Sequence, residues 1–311
     1  MVDIRELLKA GAHFGHQRQK WNPKMAPYIF TERNGVHIIN LEKTLVLVDE
    51  AKKFVKDIGA RGGDLFLVGT KRQAQDVITE EAEKASIPYV NYRWLGGMLT
   101  NFQTINESVK RLTRYTADLA ERQHRYTKKE LITIEKKRLK LSRNLSGIVN
   151  MTKMPSVIFI VDPVREHLAV REARKLKIPI VAITDTNGNP DDVDFIIPAN
   201  DDGMRTISLI MSEIVDAWME GHDIHRQKAV TEKKEKKERG NKRNETRKVA
   251  GRKVRVKRVS PTEGEKPAEK PAEAAPAAPA EAAPVEAAPV AQDAPKVEET
   301  PAVEAVKTEE K

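Results

Sequence analysis

Cysteine is absent from the 311-residue sequence. Disulfide bonds, thiolate zinc sites and a cysteine nucleophile are therefore excluded, and the absence agrees with a cytosolic protein. Long apolar segments are missing as well, since no run reaches the ~18 residues needed to cross a bilayer. The first residues, Met1–Glu6, carry mixed charge in place of the apolar segment of a signal peptide. We therefore expect a cytoplasmic protein.

Charge is abundant and unevenly distributed. The whole chain has a net charge of +9. Residues Arg226–Ser260 hold 16 Lys and Arg against 4 Asp and Glu, whereas Pro261–Lys311 hold 5 against 12. A basic block on a mildly basic body points to a polyanionic partner, usually nucleic acid. The alternative for the block is a solvated charge run without a partner.

Composition divides the chain into three parts. Residues 226–260 are predicted to form a basic disordered extension, and residues 261–311 an acidic disordered tail rich in Ala, Pro and Glu. Neither part can bury enough apolar surface to offset the entropy of ordering. Residues 1–225 remain, which is enough for one α/β domain with its own core.

Short apolar runs alternate with helical patterns inside residues 1–225. Continuous apolar runs indicate strands buried on both faces, and the intervening helices favour a parallel sheet. We predict a three-layer, doubly wound α/β fold with a mostly parallel sheet, of the flavodoxin or Rossmann type. The predicted strands and helices are Asp64–Gly69, Gln73–Ala85 (helix), Pro88–Asn91, Ser156–Val161, Arg165–Leu176 (helix), Ile180–Thr184, Phe195–Ile197 and Gly203–Glu220 (helix).

The N-terminal segment and an insertion lie outside this alternation. A short helix is predicted over Asp3–Ala10, followed by a β-hairpin over Tyr28–Ile39 whose turn contains Asn34 and Gly35. Two long helical patterns inside residues 102–147 have a connector of about four residues, which predicts an antiparallel coiled-coil hairpin. Residues 101–150 hold 12 basic against 5 acidic residues, so the hairpin suits docking onto something large.

Two loops are candidates for binding an anion. Lys71 and Arg72 join a predicted strand to a helix, where orphan backbone amides attract phosphate, and we expect both side chains to be exposed; an ordinary strand–helix turn is the alternative. In the loop Asn91–Asn101, Arg93 beside an aromatic can stack on bases, and Gly96 and Gly97 permit close backbone approach. The alternative there is that Trp94, Leu95 and Met98 anchor the base of the helical hairpin in the core.

No pattern supports catalysis or a cofactor. The spacing at Lys71 is not that of a P-loop, and neither Gly-x-Ser-x-Gly nor Gly-x-Gly-x-x-Gly follows a strand. We predict no metal, although His16 together with Asp185, Asp201 and Asp202 leaves a divalent-ion site open; hydrogen bonding or capping is the alternative for these side chains. The chain is predicted not to be an enzyme.

Several short motifs occur in order along about residues 1–221. The first group is Leu8–His16, Trp21–Met25, Val36–Lys43, Val68–Lys71 and Arg93–Asn101, and the second is Pro155, Asp162, Glu166, Glu172, Lys177–Pro179, Asp185–Asn187, Asp194–Pro198 and Asn200–Asp202. Together these motifs resemble the bacterial S-two family of small-subunit ribosomal proteins.

The resemblance implies a structural, rRNA-binding role in translation. Family members have a parallel-sheet α/β domain with an inserted coiled-coil hairpin, lie between the head and body of the small subunit, contact its rRNA and neighbouring ribosomal proteins, and support docking of the S-one protein. Carried over by position, the rRNA or assembly contacts are His13, His16, Arg18, Trp21, Lys24, Lys71, Arg72, Arg93, Gly96, Gly97 and Asn101. The extension after about Arg226 departs from the family, so its role is not implied.

Two other functions stay open at this point. The first is an α/β enzyme that acts on a phosphorylated small molecule at the turn Gly69–Arg72 with Asp185. The second is a regulatory RNA- or DNA-binding protein that works away from the ribosome.

Overall fold

The N-terminal segment forms a short helix and a small antiparallel sheet. The computed structural model describes residues 3–121 and 123–255, and defines the backbone alone for Gln123 and residues 232–255. Helix α1 (Ile4–Ala10) is followed by β1 (Phe14–Gln17), β2 (Ile29–Arg33) and β3 (Val36–Ile39), in the sheet order β1-β3-β2. The predicted β-hairpin is confirmed, because Asn34 and Gly35 both have positive φ, at 53° and 73°, as a type I′ turn requires.

A long helix that was not predicted connects this sheet to the rest of the chain. Helix α2 (Leu41–Ala60) begins after Asn40, whose side-chain Oδ1 accepts a hydrogen bond from the amide of Glu42 at 3.0 Å. Its buried positions include Val48, Ala51 and Val55, spaced as one face of a helix.

The predicted parallel sheet is confirmed. The strands are β4 (Leu65–Val68), β5 (Tyr89–Val90), β6 (Val157–Val161), β7 (Ile180–Thr184) and β8 (Phe195–Pro198). Their order is β5-β4-β6-β7-β8, and every neighbouring pair is parallel. Chain order reverses between β4 and β6, which is the arrangement of a doubly wound sheet.

Helices cover both faces of this sheet. They are α3 (Arg72–Ala85), α4 (Phe102–Glu121), α5 (Lys128–Leu145), α6 (His167–Lys175) and α7 (Met204–Arg255). Alternate residues of β4 point to opposite faces: Leu65 and Leu67 join the core that includes buried residues of α2, α3 and α7, whereas Phe66 joins the core that includes those of α4 and α6. The three-layer prediction is therefore confirmed.

Helices α4 and α5 form the predicted helical hairpin. At the start of α5, the amide of Thr127 donates to Glu130 at 2.9 Å and the amide of Glu130 donates to Thr127 at 3.4 Å, so each residue satisfies an orphan donor of the other. Near the base, Ile105 of α4 and Leu145 of α5 are buried in the second core. The hairpin is thus anchored at the sheet by apolar packing.

The last helix runs well past its expected end at Glu220. Helix α7 continues to Arg255, so it extends into the residues of the predicted basic extension. Lys and Glu are good helix formers, which accounts for a helix without apolar periodicity. Residues 256–260 of this extension and the whole acidic tail, 261–311, lie outside the described residues.

The chain divides into units of residues 1–251 and 252–311, and the described part of the second is the end of α7. None of the described helices is both long and apolar enough to span a membrane.

Candidate functional site

Charged side chains from separate strands meet at the carboxyl edge of the parallel sheet. Parallel strands place their carboxyl ends at one edge, where doubly wound folds bind ligands. Residues that follow β4, β6, β7 and β8 meet a histidine from β1 there. We call this group the strand-end cluster: His16, Lys71, Asp162, Asp185, Asp201 and Asp202.

The N-terminal segment reaches this edge through β1 and the residues beside it. The amide of His16 donates to Thr186 Oγ1 at 2.9 Å, and the amide of Asn200 donates to the carbonyl of Ala12 at 3.1 Å. Gly15 allows the approach, since a Cβ at this position would stand 2.7 Å from Thr186 Cγ2. The motif around His16 therefore serves packing across the sheet edge.

Lys71 is surrounded by carboxylates. Its Nζ lies 2.9 Å from Asp162 Oδ2, 2.7 Å from Asp201 Oδ1 and 3.0 Å from Asp202 Oδ1. The residue is only 8% exposed, so the prediction of an exposed Lys71 was wrong. A buried ammonium requires such partners, and three carboxylates compete with any phosphate for it. Arg72, one residue later at the start of α3, is exposed as expected.

The electrostatics of the cluster follow from burial and mutual contact. Burial lowers the pKa of the Lys71 ammonium, but the charges of Asp201 and Asp162 outweigh this effect and the net pKa is raised. Burial and the nearby charge of Asp162 raise the pKa of Asp201 to about 7, even though Lys71 opposes the rise. Asp201 is fully buried. The cluster is consequently held together by charges that are largely cut off from water.

His16 completes the cluster from the side of β1. Its Nδ1 donates to Asp185 Oδ2 at 2.7 Å, and this hydrogen bond raises the pKa of His16 despite burial, which lowers it. Ligand atoms of His16, Asp185 and Asp201 lie within 4.8 Å of one another, a set of nitrogen and oxygen donors that suits a divalent cation. These three residues could hold such an ion, whose charge would add to that of Lys71 against the carboxylates.

Sequence reasoning assigned no role to Asp162. Its backbone adopts the left-handed conformation, with φ of 63°, while Oδ1 accepts from the amide of Val164 at 3.1 Å and Oδ2 faces Lys71. Its place directly after β6, the central strand of the sheet, was the available signal.

The loop Asn91–Asn101, here called the Arg93 loop, leaves the same edge of the sheet after β5. Arg93, Gly96 and Asn101 are exposed, whereas Trp94 and Met98 are buried at 5% and 1% exposure. The loop therefore has both characters that its sequence suggested: apolar anchors point inward and the arginine points outward. Beside it, the guanidinium of Arg143 lies 5.3 Å from the ring centroid of Tyr92, which ties the loop to α5.

One acidic side chain holds the backbone of the Arg93 loop. Glu172 of α6 accepts hydrogen bonds from the amides of Gly97, Leu99 and Thr100 at 2.7, 3.0 and 3.1 Å. Sequence reasoning named Glu172 only as part of a motif and gave it no task.

The remaining predicted contact residues lie in the N-terminal segment. Arg18 is 71% exposed in its side chain and faces Glu32 at 3.6 Å. Lys24 is exposed and pairs with Asp191, and Trp21 is half-buried with its ring 5.0 Å from that of His37. His13 is half-buried beside Phe14, and burial lowers its pKa. Of these residues, Arg18 and Lys24 present charge to solvent.

Comparison with known proteins decides the family. The family model for ribosomal protein S2 matches residues 7–221. The chain belongs to the ribosomal protein S2 family. This confirms the resemblance inferred from the motifs, and with it the prediction of a ribosomal protein that is structural and not an enzyme.

Two relatives match over most of their length. The small ribosomal subunit protein uS2 of Geotalea uraniireducens (strain Rf4) is 52% identical over 221 residues, covering 71% of this chain and 86% of that protein. Its counterpart in Corynebacterium diphtheriae is 50% identical over 237 residues, covering 76% of this chain and 89% of the relative. The matched part is the α/β domain with its helical hairpin.

Proposed function

We propose that this S2-family chain is a structural component of the small ribosomal subunit that binds small-subunit rRNA. The observation that carries the proposal is the Arg93 loop, in which an exposed arginine and exposed backbone stand on a buried apolar anchor beside a basic helical hairpin. Rigid presentation of a cation suits a phosphate backbone, because positioning costs little entropy on binding.

The contact surface in this proposal is smaller than the sequence suggested. Arg93, Gly96, Gly97 and Asn101 form its centre, and Arg72 lies at the start of α3. Lys71 contributes from inside, by holding the sheet edge together through its carboxylate partners.

The N-terminal segment adds a second part of this surface. Arg18 and Lys24 are exposed there, whereas His13, His16 and Trp21 act by packing that segment. Cations on both parts of the surface can neutralise phosphates, and that term accounts for much of the affinity in protein–RNA association.

Position and partners follow as finer parts of the same proposal. The protein lies between the head and body of the subunit, contacts neighbouring ribosomal proteins and supports docking of the S-one protein, in the cytoplasm. The absence of a fitting catalytic motif and the basic hairpin support an assembly role over the enzyme considered above.

Sucrose-gradient sedimentation of a cell lysate in high-salt, magnesium-containing buffer tests the proposal. We expect near-stoichiometric recovery of the protein with small subunits. Recovery at the top of the gradient, away from rRNA, would instead support the free regulator or the enzyme.

Subunits prepared without this protein test the docking step. They are expected to retain less of the S-one protein, and adding the full chain back should restore it. Equal retention with and without the chain would remove S-one docking from the proposal while leaving rRNA binding intact.

A further inference from the structure

Within the described residues, the side-chain hydrogen bonds to the carboxylate of Glu172 all come from the Arg93 loop. Oε1 accepts from the amide of Gly97 at 2.7 Å and from Trp94 Nε1 at 3.2 Å. Oε2 accepts from the amides of Leu99 and Thr100 at 3.0 and 3.1 Å and from Thr100 Oγ1 at 3.2 Å. One half-buried side chain on α6 thus receives five hydrogen bonds from a segment 72 to 78 residues earlier in the chain.

These hydrogen bonds satisfy backbone amides of the loop that no strand or helix pairs. Residues 91–101 form neither, so the amides of Gly97, Leu99 and Thr100 have no ladder partner. Converging backbone amides form an anion-binding nest, and here the anion is supplied by the chain itself. Gly97 makes the geometry possible, because its φ of 86° is a conformation that L side chains rarely adopt.

The side chain is anionic at neutral pH. Burial raises the pKa of Glu172, but the amides of Thr100, Gly97 and Leu99 lower it further than burial raises it, and the net pKa is below the ordinary value. Hydrogen bonds to an ionised acceptor are roughly twice as strong as neutral ones. The loop is therefore fixed to α6 by a strong, specific set of contacts.

The contacts fix the parts of the loop that face outward. Trp94 and Thr100, which both bond to Glu172, bracket Gly96 and lie beside Arg93 and Asn101. We propose that Glu172 is a positioning residue, which holds the Arg93 loop in the shape that docks onto rRNA without touching the RNA. This inference rests on the proposed function, since it assigns a task to a residue that supports that same surface.

The proposal predicts an effect of unusual sign. Replacing Glu172 with Gln removes a negative charge near a phosphate-binding surface, which by electrostatics alone strengthens RNA association. A positioning role predicts the opposite, because the Gln side chain offers one oxygen in place of two and presents an NH₂ donor to backbone amides that also donate. The direction of the change therefore distinguishes the two.

Glu107→Gln is the matched control. Glu107 is exposed on α4, a few residues after the Arg93 loop, so the substitution removes the same charge from the same neighbourhood. Arg93→Ala tests the surface itself.

The experiment measures two quantities on the full chain and the three variants. Amide hydrogen exchange is followed for residues 96–101 and, as an internal reference, for β6. Association is measured by adding each protein to small subunits that lack it and sedimenting the mixture over a series of salt concentrations.

For Glu172→Gln we expect exchange in residues 96–101 to rise about tenfold or more while β6 is unchanged, since a hydrogen bond to a charged group is lost. Association should fall, as for Arg93→Ala, whereas Glu107→Gln should associate as well as the original chain or better. If Glu172→Gln does not fold, Glu172→Asp takes its place: it keeps the charge but is one methylene shorter, so electrostatics alone predicts unchanged association and a positioning role predicts a fall.

The outcomes separate the inference from the proposed function. Unchanged loop exchange, or undiminished association of Glu172→Gln while Arg93→Ala associates poorly, would overturn the positioning role and leave the surface standing. Full association of Arg93→Ala would overturn the surface itself, and the positioning role with it.

Discussion

The strand-end cluster and the Arg93 loop lie at the same edge of the sheet. Each contains a carboxylate and a cation, but the two regions place them differently. In the cluster, Lys71 points inward to Asp162 and Asp201, and its charge is paired with these buried carboxylates. In the loop, the carboxylate of Glu172 is turned inward onto backbone amides, and Arg93 is left in solvent. A basic residue in a motif is therefore no measure of a surface charge; burial among carboxylates, as at Lys71, decides which cations a polyanion can reach.

The largest effect on stability is expected from comparing substitutions of two adjacent cations, Lys71 and Arg72. Lys71→Met leaves buried carboxylates without their cation and should lower the free energy of unfolding by ~3–5 kcal/mol. Arg72→Ala, an exposed neighbour, should change it by no more than about 0.5 kcal/mol yet weaken association with the subunit. Urea unfolding and salt-dependent sedimentation of both variants check this. Equal stability of the two would show that Lys71 is not the interior residue of the pair.

The second comparison uses pH to examine the cluster. Asp201 has a folded pKa of about 7, well above its value in the unfolded chain, so the folded state binds the extra proton. Its favourable contribution is complete below about pH 4 and is lost as pH rises through about 7, by up to about 4 kcal/mol. Asp201→Asn, a neutral isostere, should lack this change, so its stability relative to the original chain should rise from pH 4 to 7.

The measurement is the unfolding free energy of both proteins at a series of pH values. A stability difference that is flat across this range would mean that Asp201 is ionised throughout, with Lys71 outweighing burial. His16→Ala serves as the control for the neighbouring histidine, whose own raised pKa makes stability fall as pH rises above its ordinary 6.5.

The smallest effect is expected from alanine substitution of two glycines, one next to His16 of the strand-end cluster and one in the Arg93 loop. A Cβ at Gly15 would stand 2.7 Å from Thr186 Cγ2, whereas nothing lies within 4 Å of a Cβ at Gly96. Gly15→Ala should therefore cost about 1–3 kcal/mol of stability through overpacking, and Gly96→Ala should leave stability unchanged while hindering close approach of RNA. Thermal unfolding and sedimentation distinguish them. A stable Gly15→Ala would show that β1 does not press on the sheet edge.

Local patterns were sufficient for most of the fold. A few residues are enough to predict the apolar strands β4, β6 and β7 and the Asn34–Gly35 turn. Burial on both faces restricts the side chains of such strands, and positive φ restricts those of the turn. Helix α2 has a sequence signal in the cap residue Asn40 and in the helical spacing of Val48, Ala51 and Val55. The sequence prediction nevertheless did not include this helix. The part of α7 beyond Glu220 lacks apolar periodicity, so its extent could not be predicted from the spacing of apolar residues.

The candidate site divides in the same manner. The exposure of Arg93 and the burial of Trp94 follow from residue type, and the structure agrees with both. The burial of Lys71 could not be derived this way, because Asp202, which bonds to it, lies 131 residues further along the chain.

By itself, then, the sequence determined the α/β class, the inserted helical hairpin, the family and the presence of a basic surface. Each of these follows from periodicity, turn chemistry or motifs that act over short stretches of chain. Only the tertiary structure decided which charges remain for a partner. Parallel crossovers bring Asp162 and Asp201 to Lys71 and bring Glu172 to the Arg93 loop, and burial there makes internal pairing of charged groups and backbone amides obligatory.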